Sequence, residues 1–241
     1  RREGYELQVS KPEVIVREEN GARLEPYERL VIDVPDDSVG AVMESLGPRR
    51  AELVSMAGSG TGHTRLEYII PSRGLIGFRT AFLTLTRGYG IMNHAFEKYG
   101  PITPGDGFGR RQGALVSIES GTATFYGLLS VEDRGVLFVE PGTEVYEGMI
   151  VGEHNRENDI VVNVCKTKQL TNIRSSTKEE TVKLKAPRLM TLEAALEYLN
   201  DDEYCEVTPK SIRLRKKILA KGERERAEKQ RKAAHAGAKE D

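Results

Sequence analysis

A two-domain α+β fold is what this sequence predicts, and three observations lead to it. Over residues 27–99, strand and helix patterns follow in the order β-α-β-β-α-β. The segment from Gly100 to Gly113, with two Pro and five Gly, then interrupts all periodicity. Beyond it, short strand patterns recur between turn signals. A chain of 241 residues accommodates one or two such domains.

In the first domain, Leu30, Ile32 and Val34 alternate with polar neighbours, as in a half-buried strand. Asp36, Asp37 or Ser38 can cap a helix whose Val39, Val42, Met43 and Leu46 share one face, and Gly47-Pro48 ends it. Ala51 to Met56 and Thr64 to Ile70 read as strands joined by the turn Gly58 to Gly62. Pro71-Ser72 opens one helix with Leu75, Phe78, Phe82 and Leu85 as its apolar stripe, and Ile91 to Tyr99 supplies the last strand. This is the ferredoxin-like plan: a four-stranded antiparallel sheet with both helices on one face. The second domain is expected to be β-rich and barrel-like, from the strand candidates ALVSI, TATFYGLL, VLFVE, MIVGE, IVVNVC and TVKLK. One helix interrupts it, TLEAALEYL, with Thr191 as its cap. Ser211 to Leu219 begins as a strand, since Ile212 and Leu214 alternate with Arg213 and Arg215. The tail after Lys221 reads as a frayed helix or a disordered segment.

Charge is segregated along the last third. From Leu192 to Glu206 there are six acidic residues and no Lys or Arg, whereas Lys210 to Lys232 holds eleven Lys and Arg against three Glu. In a chain of net charge −1, such a concentration builds a local field that attracts polyanions. A second basic stretch, Lys166 to Lys178, has no acidic residue. It mixes Lys166, Lys168, Arg174 and Lys178 with Gln169, Asn172, Ser175 and Ser176, groups suited to phosphate, sugar and base edges. All of these except Ser176, with Arg213, Arg215, Lys216 and Lys217, form the candidate RNA-binding set.

Other chemistries find little support. GxxxxGK[ST] does not occur, and Gly58 to Gly62 lies between two strands as a hairpin turn. Gly105 to Gly109 followed by Arg110-Arg111 could hold an anion, but reads first as an interdomain loop. The four histidines are scattered and the two cysteines have no CxxC partner, so no metal site is expected; both thiols read as reduced, in a cytosolic protein. The acid cluster Asp201-Asp202-Glu203 reads as a solvated loop rather than a cation site. No apolar run could span a bilayer. A protein-interaction module, using the acidic helix and the basic tail, is the competing interpretation. The chain begins at Arg1 in a strand already under way, which reads as a fragment.

The strings PSRGLIGFR (71–79), EVYEGMIVGEH (144–154), KQLTNIRSS (168–176), MTLEAALEYL (190–199) and EVTPKSIRLRKKIL (206–219) closely resemble the C-terminal half of the BipA/TypA proteins. These are ribosome-associated translational GTPases related to elongation factor G and LepA. The resemblance implies that residues 1–26 end a preceding α/β domain and that 27–100 form the ferredoxin-like domain shared with elongation factor G. It makes 101–112 a linker, 113–220 the β-rich domain particular to the family, and 221–241 the basic tail. It implies a bacterial, stress-related factor that binds the ribosome, reaches toward the peptidyl-transferase centre and the A-site tRNA, and assists ribosome function or large-subunit assembly. Segment 166–178 would be the contact. GTP and Mg would belong to the family's GTPase domain, so this chain is expected to be no enzyme, to hold no cofactor, and to act as a cytoplasmic monomer whose partners are rRNA and tRNA rather than a membrane.

Overall fold

The computed structural model of the chain describes residues 3–103, 110, 112–167 and 183–237, the last seven as backbone. It divides into two compact units, residues 12–109 and residues 110–241 together with 1–11. Residues 1–26, expected to end a preceding domain, are shared between the two. Strand β1 (Leu7–Val9) belongs with the C-terminal unit.

The unit 12–109 follows β2 (Arg17–Glu19), β3 (Ala22–Pro35), α1 (Val39–Leu46), β4 (Glu52–Gly58), β5 (His63–Pro71), α2 (Ser72–Leu75), α3 (Phe78–Leu85) and β6 (Ile91–Pro101). The long strand β3 pairs with β5 along one edge and with β6 along the other, and β4 extends the sheet beyond β5, all antiparallel. The order β4-β5-β3-β6 is the ferredoxin-like one, and the short β2 is added beside the start of β3. Alternation puts Leu30, Ile32 and Val34 of β3 and Leu66, Tyr68 and Ile70 of β5 into one core with Val42, Leu46, Phe78 and Phe82 from the helices. The helix expected from residue 72 onward is two pieces. Ile76 is extended and Gly77 takes φ +69°, a left-handed conformation that glycine accepts without penalty. A clasp ties down the chain leaving β6. The buried Glu25 carboxylate accepts hydrogen bonds from Arg73 Nε (2.6 Å) and the Thr103 N–H (2.7 Å).

The C-terminal unit adds β7 (Ala114–Ser117), β8 (Gly121–Thr122), α4 (Phe125–Leu129), β9 (Gly135–Leu137), β10 (Glu144–Val145), β11 (Met149–His154), β12 (Ile160–Val162), α5 (Leu192–Tyr198), β13 (Glu203–Val207), β14 (Ile212–Lys216) and α6 (Lys221–Gly237). The barrel-like closure expected from the run of short strands does not occur. The main sheet is open, in the order β1-β13-β14-β11-β7-β12, with β9 also on β11 and with β12 parallel to β7. The physical reason is that this sheet has a core on each face, whereas a barrel has a single interior. Ala114 and Val116 of β7, Ile150 of β11 and Leu214 of β14 pack with α5. Leu115, Met149 and Val151 face the other way, into a core with Leu128, Val139, Val162 and Val164. All four residues of β7 are therefore buried.

Further corrections follow from packing. TATFYGLL, expected as a strand, is β8 followed by α4, whose N-terminus Thr124 caps by accepting the Gly127 N–H at 2.9 Å. The single expected helix is thus joined by α4, and the tail forms α6. Residues 183–185 of TVKLK are in no strand, and 181–182 lie outside the described residues. Among the described residues no helix is long and apolar enough to cross a membrane.

Gly127 sits where a Cβ would meet the Val164 carbonyl oxygen at 2.1 Å, whereas a Cβ at Gly40, within α1, meets nothing within 4 Å. Gly127→Ala should therefore cost about 2–3 kcal/mol in urea unfolding. Gly40→Ala should gain roughly 0.5–1 kcal/mol in the same measurement.

Candidate nucleic-acid interface and the ion cluster behind it

Of the basic segment, Lys168, Gln169, Asn172, Arg174, Ser175, Ser176 and Lys178 lie outside the described residues. The chain on either side is anchored to the fold. Before it, Val164 is buried, its carbonyl accepts the Thr124 N–H at 2.9 Å, and the carbonyl of the exposed Lys166 accepts the Thr124 hydroxyl. After it, Leu184 packs on the same core, the Lys185 N–H donates to Glu132 (2.5 Å), and the Arg188 N–H donates to the Leu137 carbonyl (2.8 Å). Arg188 also pairs with Glu153 at 2.5 Å and lies over the Phe138 ring. Both ends of segment 168–182 are thus rooted on the stretch from Thr124 to Leu137.

The hairpin β13–β14 sorts its cations by strand alternation. Arg213 and Arg215 face away from the α5 side, opposite Glu206 and Tyr204 in register. The Glu206 carboxylate meets Arg215 Nε at 2.8 Å and Arg213 Nε at 3.5 Å, and accepts the Tyr146 hydroxyl at 2.7 Å. Lys217 is exposed, its ammonium 5.0 Å from the Tyr204 ring centre.

Lys216 falls on the opposite face, with Ile212 and Leu214, and is 3% exposed. Its ammonium meets Asp159 at 2.5 Å, Glu203 at 2.8 Å and Asp202 at 2.9 Å. Glu203, fully buried, also receives both terminal nitrogens of Arg110 at 2.9 and 2.8 Å and the Asn200 N–H at 2.9 Å. The Arg110 guanidinium stacks 4.0 Å over the Tyr198 ring. Burial alone would lower the pKa of both cations; the surrounding carboxylates outweigh it and hold both above their ordinary values. For Asp159, burial works upward, but Lys216, the Ala114 N–H and Arg110 together keep its carboxyl below the usual range.

Two expectations are corrected by this cluster. Lys216, expected among the RNA-binding residues, is consumed inside the fold. Of the acid run expected as a solvated loop, Asp201 and Asp202 do form a turn with Asp201 exposed, but Glu203 is buried in β13, and all three meet the protein's own cations, Asp201 pairing with Lys11 at 3.1 Å. Arg110 likewise serves this hub rather than an anion cradle, while Gly105 to Gly109 and Arg111 lie outside the described residues. Among the described residues no group of three or more His, Cys, Asp or Glu is placed to hold a metal. Both cysteines are free, and burial pushes the Cys205 thiol up to about 11.

Residues 112–221 match the family model of the TypA/BipA C-terminal domain, and residues 22–106 match that of the elongation factor G C-terminus. The chain is 64% identical over 234 residues to the large ribosomal subunit assembly factor BipA of Bacillus subtilis, covering 97% of this chain and 38% of that protein. The chain corresponds to the C-terminal region of the BipA/TypA family. The BipA of Synechocystis is 58% identical over 90% of this chain and 36% of its own length. That of Escherichia coli K12 is 49% identical over 94% and 37%. The chain spans somewhat over a third of these BipA relatives, and both matched models are of C-terminal, non-catalytic domains.

Residue types alone missed Tyr204 and the pairing roles of Glu206 and Arg110. A usable signal existed for the hairpin: a period of two carried from Ile212 and Leu214 puts residue 216 on the inward face. Arg110 left no such signal, because its partners are about ninety residues away along the chain.

Lys216→Met or Glu203→Gln should each cost about 3–5 kcal/mol in chemical unfolding, since either leaves buried charge uncompensated. Asp159 titrates lower folded than unfolded, so its contribution is complete above the ordinary carboxylate pKa of about 4 and is lost as pH falls through the folded value. The stability gap between wild type and Asp159→Asn should hold steady from about pH 7 to 5 and shrink below about pH 4, as read by urea midpoints.

Proposed function

We propose that this chain binds ribosomal RNA through segment 166–178 and the outward cations of β14, and so places a BipA-type factor on the ribosome at the A site. There, near the peptidyl-transferase centre and the acceptor end of tRNA, it assists assembly of the large subunit. The observation that carries this proposal is the basic segment itself. It has four cations, no acid and a run of amide and hydroxyl groups, with both ends rooted on one stretch of the domain. Phosphate contacts supply affinity, while Gln169, Asn172 and Ser175 can address base edges or 2′-hydroxyls. The name of the relatives, large ribosomal subunit assembly factor, supports the choice of ribosomal RNA over other polyanions. Arg213 and Arg215 act from the hairpin, and Lys217 stands beside them; Lys216 has no part. GTP hydrolysis is no part of the role proposed for these domains.

Co-sedimentation with 70S ribosomes across a salt series tests this proposal. Salt-sensitive pelleting is expected, abolished by deletion of 166–178 and weakened more by Arg174→Ala and Lys168→Ala than by Lys229→Ala in α6. Equal effects of the three substitutions, or pelleting indifferent to salt, would count against recognition by the segment.

A further inference from the structure

The outward face of the β13–β14 hairpin carries more than charge. We infer that it is a stacking site for an unpaired RNA base, with Tyr204 as the platform; this rests on the RNA-binding role proposed above. Tyr204 stands directly opposite Arg215 in the sheet register. The Arg215 guanidinium lies 5.3 Å from the Tyr204 ring centre, and the Lys217 ammonium 5.0 Å. Two cations against one ring are drawn there by its negative face, and Lys217, the exposed one, also attracts phosphate.

The arrangement is held in place. Glu206, two residues along β13 on the same face, grips Arg215 and Arg213 and accepts the Tyr146 hydroxyl. Gln8 on β1 accepts a hydrogen bond from Arg215 Nη2 at 2.9 Å, and the Lys216 carbonyl accepts one from Nη1 at 3.0 Å. Arg215 is thereby immobilised beside the ring. Lys217, by contrast, is exposed and meets no carboxylate within 4 Å among the described residues. A sheet face with a half-buried tyrosine, ordered arginines and an exposed lysine is the chemistry by which sheets receive splayed-out bases: the ring stacks on any base and the exposed Lys217 holds a flanking phosphate. An acidic peptide would use the cations and leave the ring without a role.

The chain contains no Trp, so Tyr204→Trp installs a lone indole at the platform. This variant, checked for an unchanged thermal midpoint, would be titrated with a mixed-sequence single-stranded oligoribonucleotide and with a duplex of equal length. Quenching of the indole by the single strand and not by the duplex is expected. Tyr204→Leu should weaken single-strand binding by about fivefold or more in a filter assay, and Tyr204→Phe should keep it. If the single strand binds without quenching and Tyr204→Leu behaves as wild type, the stacking site is overturned while the RNA-binding role stands. If the unsubstituted chain binds no RNA, that role falls, and the stacking site falls with it.

Discussion

The buried carboxylate of Glu203 is the constraint on which the C-terminal unit depends. It lies between Arg110 and Lys216, fully out of solvent, and its oxygens are engaged by both cations and by the Asn200 backbone. Charges taken out of water carry a desolvation cost of several kcal/mol each, which only close pairing offsets. The cluster therefore tolerates few alternatives. It dictates that residue 216 points inward, and strand alternation then turns Arg213 and Arg215 outward. Through Arg110 it draws in the chain where it enters the unit, and through neighbouring Asp201 it holds Lys11 just beyond β1. Replacement of the whole cluster by apolar side chains of similar volume could leave stability unchanged, whereas removal of a single member strands the others without a counter-charge.

The cations thus divide by what they face. Arg110 and Lys216 are spent on the interior, Arg215 and Arg213 are ordered on a shared carboxylate, and Lys217 is left to solvent. A net count of Lys and Arg in the last third, taken by itself, overstates the charge offered to a polyanion. The surface proposed to meet RNA is the outward face of one hairpin, together with segment 166–178, which is flanked by chain set down on the stretch that contains α4. Gly127 permits this, since its missing side chain lets Val164 approach the first turn of α4. The function proposed for this BipA region therefore rests on a scaffold of small, close contacts well away from the charges themselves.

Much of this was legible in the sequence where burial is one-sided. β3 and β5 alternate cleanly because a single face of their sheet meets the helices, and Thr191 caps α5 as expected, accepting the Ala194 N–H at 3.2 Å. Legibility failed where burial is two-sided or long-range. ALVS is a continuous apolar run because β7 lies between two cores, and no pattern in it tells an open sheet from a closed barrel. TATFYGLL has a strand's composition, yet becomes a helix because Thr124 caps it and Leu128 is needed in the core. Lys216 looked like its neighbours because residue type does not record which side of a strand faces acid. The RNA-binding role proposed for residues 168 to 178 is read from their composition, polar amides and hydroxyls among cations with no acid.

The division of cations can be measured most directly as a salt slope. Log affinity for single-stranded RNA would be plotted against log salt for the wild-type chain, Lys216→Met and Lys217→Met. Removing one cation that neutralises a phosphate should lower the slope by about 0.7. That decrease is predicted for Lys217→Met, with stability intact, and an unchanged slope is predicted for Lys216→Met, with stability reduced. A slope that falls for Lys216→Met and holds for Lys217→Met would contradict this division.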